Sequence, residues 1–146
     1  MNYQNVMIAV DFNDSALKTL DKVKNLGLRD GTKIQLVHAF ELFPASFDFM
    51  ASYMPGPEQK QEIEAAIQER LKKLIERWEL GRFQVSTKVL ICASARQEFL
   101  DYSIKEKAQL IVLASQEKPF LQGVMEGSFG SFMNKYARAD LWILRP

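Results

Sequence analysis

The sequence has little of what most enzymatic and metal sites require. It contains one cysteine, Cys92, and one histidine, His38, among 146 residues. A single cysteine cannot form an internal disulfide, and no group of histidine, cysteine, aspartate and glutamate has the spacing of metal ligands. A Ser-His-Asp or Cys-His pair would have to use His38, and nothing in the sequence indicates a nucleophile beside it. We therefore expect both residues to be structural, no metal to be bound, and the protein not to be an enzyme.

Long apolar runs and an excess of one charge are also absent. The longest apolar runs are far shorter than the about 18 residues that indicate a membrane span, and the first residues lack the basic and apolar regions of a signal peptide. The sequence has 19 basic and 18 acidic residues, a net charge of +1, and the two signs alternate. This pattern argues against a nucleic-acid-binding surface. We expect a cytoplasmic globular protein that contacts neither membrane nor nucleic acid.

Five short apolar segments alternate with helical patterns along the chain. Strands joined by helices predict parallel β-α-β units with right-handed crossovers. Asn13 or Asp14 can cap the first helix, and Ser94 with Gln97 resembles a capping box for the third. The predicted fold is one doubly wound α/β domain over residues 1–146, with a five-stranded parallel sheet and helices on both faces. The predicted strands cover 6–10, 33–40, 85–91, 110–114 and 141–144, and the first two helical patterns extend to Gly27 and to about Leu80.

The segment from Phe40 to Met54 is the most unusual local feature, because it combines aromatic residues and methionines with proline. One interpretation is a lid folded over the domain's own core. The other is a surface for a protein partner or ligand, since exposed apolar patches mark interaction sites and methionine suits adaptable recognition.

The stretch after the fourth predicted strand has the pattern of a phosphate site. A loop leads to Gly127 and Ser128, where an amphipathic helix begins. The first N–H groups of a helix have no partners within it, and the helix dipole favours an anion there. The alternative is that Ser128 simply caps the helix.

With these features in order, the whole chain resembles the universal stress protein family. The first strand and its aspartate turn, Ile8 to Asp11, match the family's opening. The second strand with His38, the Ser94 helix with the strand after it, and the Gly127-Ser128 pair match the family's later elements.

The resemblance implies a set of nucleotide-site residues. Nucleotide-binding members carry the motif G-x2-G-x9-G-[S/T]. Here the two early glycines are replaced by Ala114 and Glu117, whereas the closing glycine and hydroxyl remain. Asp11 corresponds to the aspartate near the adenine and ribose, and Ala39 to the small residue beside the base. The remaining positions are Gly127, Ser128 and Ser131.

The two replacements argue against ATP. Glycine allows φ > 0 or a close approach of backbone to phosphates, and Glu117 would add bulk and negative charge. One like-charge contact at ~4 Å costs about 4 kcal/mol at an effective dielectric near 20. The chain thus resembles the branch of the family that lacks the glycines and does not bind ATP, and we expect no cofactor. The alternative is a divergent ATP or AMP sensor, with or without magnesium, that uses Asp11, Gly127, Ser128 and Ser131.

The last predicted strand is expected to lie at a sheet edge, which favours pairing with another chain. Family members commonly dimerise through this strand, so the resemblance implies a homodimer. Trp142 is the expected anchor because tryptophan is enriched at interface hot spots. The expected interface residues are Leu141, Trp142, Ile143 and Leu144.

Overall fold

The structure is a computed structural model that describes residues 2–42, 56–115 and 128–146. The described strands and helices alternate in the predicted order. The strands are β1 (Asn5–Ala9), β2 (Lys33–Glu41), β3 (Gln84–Cys92), β4 (Leu110–Ala114) and β5 (Asp140–Leu144). The α-helices are α1 (Asp14–Leu20), α2 (Pro57–Arg77), α3 (Ala95–Lys105) and α4 (Phe129–Tyr136).

All strand pairs are parallel, and the strand order in the sheet is β3-β2-β1-β4-β5. This confirms the predicted five-stranded doubly wound fold. The apolar strands are covered on both faces, as expected for a parallel sheet. Each predicted strand lies within one residue of the observed one.

Successive residues of the strands pack into two separate apolar clusters, one on each face of the sheet. The first cluster contains Ile8, Leu36 and α1 side chains. It also contains the fully buried Trp78, which directly follows the last residue of α2. The second contains Met7 and the α3 residue Phe99, together with α4 side chains. Helices α1 and α2 therefore cover one face, and α3 and α4 cover the other.

The first two helices are shorter than predicted. Helix α1 ends at Leu20 and continues as a 3₁₀ helix over Asp21–Asn25, and α2 ends at Arg77, before Leu80. Of the two possible caps for α1, the structure selects Asn13, whose Oδ1 accepts a hydrogen bond from Ala16 N at 2.8 Å.

The predicted capping box of α3 is wrong. Ser94 occupies the cap position, but its side chain makes no capping hydrogen bond. Gln97 instead donates from Nε2 to Asp101 Oδ1 at 3.0 Å. The first helical N–H, that of Ala95, is satisfied by Glu41 Oε1 at 2.9 Å. A carboxylate from β2 stabilises this helix start because the dipole is positive there.

The first two residues of the Phe40–Met54 segment, Phe40 and Glu41, belong to β2, and Phe40 packs half-buried against the first cluster. Residues 43–54 of that segment lie outside the described residues. No helix in the described part of the chain is long and apolar enough to cross a bilayer.

Candidate functional site

The carboxyl ends of β1 and β4 meet at one edge of the sheet. Ile8 of β1 lies opposite Val112 of β4, so Asp11 and Ala114, which follow a few residues later, come to the same edge. The chain crosses to opposite faces after these two strands, and open α/β sheets bind ligands at such a switch point. The structure thus brings two of the predicted site residues to the edge where the fold favours a ligand.

Asp11 orders the turn that leads into α1. Its Oδ1 accepts a hydrogen bond from Asn13 N at 3.1 Å, and Asn13 in turn caps α1. The Asp11 carboxylate is therefore held at the start of the helix by backbone geometry.

Ala114 and the residue after it are held in the sheet by packing and by a backbone hydrogen bond. Ala114 is half-buried against the first cluster, and Ser115 N donates to Leu144 O of β5 at 2.7 Å. The Ala114 methyl group therefore packs into the core at the position that the resemblance assigns to the first motif glycine. The next N–H is already paired and is not free for a phosphate.

Ser128 and Ser131 form a local pair at the start of α4. Ser128 Oγ accepts from Ser131 N at 3.1 Å and donates to Ser131 Oγ at 2.8 Å. This is the hydrogen bond of a helix cap. The two remaining motif positions, Glu117 and Gly127, lie outside the described residues.

Ala39 and His38 are neighbours on β2 but face opposite sides of the sheet. Ala39 packs against the second cluster, whereas His38 faces α2. His38 Nδ1 lies 2.7 Å from Val10 O; because a carbonyl oxygen only accepts, Nδ1 carries the hydrogen. The histidine therefore ties the ends of β1 and β2 together.

Phe12 and Arg70, which the sequence analysis did not single out, complete a stack at this edge. The Phe12 and His38 ring centroids are 4.9 Å apart, and the Arg70 guanidinium carbon lies 4.0 Å from the Phe12 centroid. One signal in the sequence could have indicated Arg70. No acidic residue stands three or four positions from it along α2, where helical ion pairs form.

Cys92 ends β3 and is buried. Burial, followed by the charges of Glu98 and Glu41, raises the pKa of its thiol. A thiol in that state is a poor nucleophile and a poor metal ligand. Among residues 2–42, 56–115 and 128–146, no three histidine, cysteine or acidic side chains are placed to hold a metal.

The sequence matches the universal stress protein family over residues 2–145. The chain belongs to this family. No curated protein sequence matches it.

Solved structures of universal stress proteins share the fold. The structure of the hypothetical protein MJ0577 has a TM-score of 0.73 at 16% identity, covering 100% of this chain and 98% of that chain. UspA from Lactobacillus plantarum has a TM-score of 0.71 at 17% identity, with 99% of each chain covered. A universal stress protein in complex with cAMP has a TM-score of 0.68 at 17% identity, covering 99% and 98%.

Within the described residues of this universal stress protein, β5 has one strand neighbour in the sheet, β4. Ile143 is 44% exposed on β5. Trp142 is half-buried, and its ring meets that of Tyr3 edge-on with centroids 5.6 Å apart. Leu141 packs on the second cluster and Leu144 on the first. Of the four predicted interface residues, Ile143 is the one that the described chain leaves open.

Proposed function

We propose that this chain is a non-enzymatic universal stress protein that acts in the cytoplasm as a homodimer and through contacts with other proteins, without binding ATP. The observation that carries the proposal is the open edge of β5 with the exposed Ile143. A regulatory or protective role follows from the family alone.

The β5 edge suits a two-fold contact. Its outer backbone groups have no partner strand within the described residues, and such an edge pairs readily with another strand. A second copy presents the same edge, so the contact closes on itself and stops at a dimer. Ile143 then moves from solvent into an apolar contact, which favours association.

Sedimentation velocity tests the dimer. An Ile143→Lys protein is expected to dissociate with a Kd raised about tenfold or more, because a charge is placed in the contact. Ser86→Lys, on the exposed side of the opposite edge strand β3, is the matched control and leaves the dimer intact. Trp142→Lys is a less specific variant because Trp142 also packs against Tyr3. An I143K protein that sediments like the wild type contradicts the proposal.

The contacts with other proteins are assigned to the segment from Phe40 to Met54. Replacing both Phe47 and Phe49 with Ser is expected to leave the circular dichroism spectrum unchanged but to alter association. Loss of the folded spectrum in this double variant would support the lid interpretation instead.

The proposal that ATP is not bound is supported by the residues at the β4 end. Ala114 adds a methyl group where a glycine would leave space, and Ser115 N is hydrogen-bonded to β5. Ser128 and Ser131 are hydrogen-bonded to each other. Calorimetric titration with ATP, with and without magnesium, is expected to give no submillimolar binding. A submillimolar Kd would overturn this part of the proposal.

A second candidate function is the sensing of an adenine mononucleotide. The cAMP complex of a related fold favours it, as does the position of Asp11 at the switch point. A mononucleotide depends less than ATP on contacts with a glycine loop, because it carries fewer phosphates for that loop to bind. Titration with AMP beside ATP separates the two candidates.

A further inference from the structure

We propose that Arg70, stacked on Phe12 at the carboxyl edge of the sheet, binds the phosphate of a small monophosphate ligand. The site lies on the face covered by α1 and α2. It is therefore distinct from the Ser128 helix start, which belongs to the opposite face. The inference rests on the second candidate function, the binding of a mononucleotide, and is independent of dimerisation.

Arg70 is held in place without a carboxylate partner among the described residues. Three other exposed cations of this part of the chain have carboxylate partners: Arg77 with Asp21, Arg82 with Asp30 and Lys72 with Glu69. The Arg70 guanidinium instead rests 4.0 Å from the Phe12 ring, the shortest of the cation–ring contacts described. Stacking fixes the guanidinium plane while its N–H groups remain available.

Guanidinium chemistry selects the ligand. Five N–H donors in a rigid fork match the oxygens of a phosphate in a bidentate contact. Less ordering entropy is lost on binding when the group is already positioned by Phe12. A single guanidinium balances the charge of one phosphate better than the larger negative charge of a triphosphate.

His38 provides a second polar group at the same place. Its Nδ1 hydrogen is used by Val10 O, and Nε2 has no partner within the described residues. In the neutral ring Nε2 accepts, so it can receive a hydroxyl hydrogen from the organic part of the ligand. Both His38 and Arg70 contact the Phe12 ring, which places the two groups near each other.

Calorimetry with AMP, adenosine and inorganic phosphate tests the site. AMP is expected to bind more tightly than either fragment alone. Arg70→Gln is expected to weaken AMP binding about tenfold or more and to leave adenosine binding unchanged. Arg70→Lys should restore part of the affinity, because a lysine supplies the charge without the fork. Lys73→Gln, an exposed cation on the same helix, is the control and should change the Kd less than about twofold.

Three results would overturn the inference. Equal losses in R70Q and K73Q would show a general charge effect. Loss of AMP binding in Ser128→Ala but not in R70Q would place the phosphate at α4, which preserves the mononucleotide candidate and removes this site. No binding of AMP or inorganic phosphate at about 10 mM, roughly ten times a millimolar Kd, would remove both the mononucleotide candidate and this site. Perturbation of the Arg70 Nε–H NMR signal by phosphate, absent in R70Q, locates the contact directly.

Discussion

The Arg77 guanidinium donates from Nε and Nη2 to the two carboxylate oxygens of Asp21, at 2.7 and 2.8 Å. Trp78 Nε1 donates to the same carboxylate at 3.0 Å. This arrangement joins the end of α2 to the 3₁₀ helix after α1. It also gives the buried Trp78 ring its hydrogen-bond partner.

The contact predicts a defined pH dependence of stability. Hydrogen bonding to Arg77, then to Trp78, lowers the pKa of Asp21 from its usual 3.8. The ionised form is favoured in the folded state, so the stabilisation is complete above pH about 4 and is lost as the pH falls through the lowered pKa.

We expect Arg77→Gln to lower the free energy of unfolding by about 0.5 kcal/mol at pH 7. The value is small because the Arg77 and Asp21 side chains are 43% and 38% exposed. The difference from the wild type should shrink towards pH 2 in urea titrations. Lys72→Gln, which removes the same charge from the more exposed pair with Glu69, is the control. A difference that stays constant down to pH 2 would contradict the assignment.

The start of α3 gives a prediction with two variants. Glu41→Ala is expected to destabilise the fold by about 1 kcal/mol, because it removes the carboxylate that accepts from Ala95 N. Ser94→Ala is expected to change stability by less than about 0.5 kcal/mol, since the Ser94 side chain makes no capping bond. Thermal or urea unfolding of both proteins measures the difference. A larger loss of stability in S94A than in E41A would support the predicted capping box instead.

Cys92 is expected to react slowly in the folded protein. Burial and the charges of Glu98 and Glu41 raise its pKa above 9.0, so little thiolate is present at pH 8. A disulfide reagent at pH 8 should modify the folded protein at least about tenfold more slowly than the protein in urea. The chain has no other cysteine, so the signal reports this residue alone. Equal rates would show an accessible thiol.

The stability that Cys92 contributes should also depend on pH. Because its pKa is raised in the folded state, the contribution is complete below pH 9 and is lost as the pH rises through the raised value. Urea unfolding between pH 8 and pH 11 should therefore show a steeper loss for the wild type than for Cys92→Ala. Parallel curves would contradict this.

Restoring the two motif glycines gives the most direct test of the proposal that ATP is not bound. An Ala114→Gly, Glu117→Gly double variant is expected to gain ATP affinity by tenfold to about a thousandfold, the upper value being one like-charge contact at ~4 Å. The single variant Ala114→Gly should gain less ATP affinity than the double variant, because Ser115 N stays hydrogen-bonded to Leu144 O. Calorimetry compares the single and double variants. A double variant that binds ATP no better than the wild type would show that other residues close the site.

Strand positions were predictable because each strand is a short apolar run with its own sequence signal. The run at Leu110–Ala114 is identical in the structure, and the final strand differs by one residue, Asp140. Helix ends were less predictable. The apolar periodicity continues past Leu20, but the backbone there tightens into a 3₁₀ turn. Periodicity reports which face is buried and does not distinguish these two helix types.

The candidate site was predictable in part. Asp11, Ala114 and Ser128 could be assigned because each follows or precedes a recognisable strand or helix. Arg70 and Phe12 could not, since they are far apart in the sequence and meet only when α2 packs on the sheet. The cap of α3 could not be predicted for the same reason, because its acceptor Glu41 lies on β2, far from α3 in the sequence.

The sequence by itself determined the order of strands and helices, because apolar runs and helical periodicity are local properties of the chain. It also carries the resemblance from which we infer that the early glycines of the motif are replaced. Tertiary structure alone decided which side chains meet: Arg70 with Phe12, Glu41 with Ala95 and Asp21 with Arg77. These contacts join residues more than 50 positions apart. No local pattern encodes them, since they arise only when the packing of the two apolar clusters fixes the helices against the sheet.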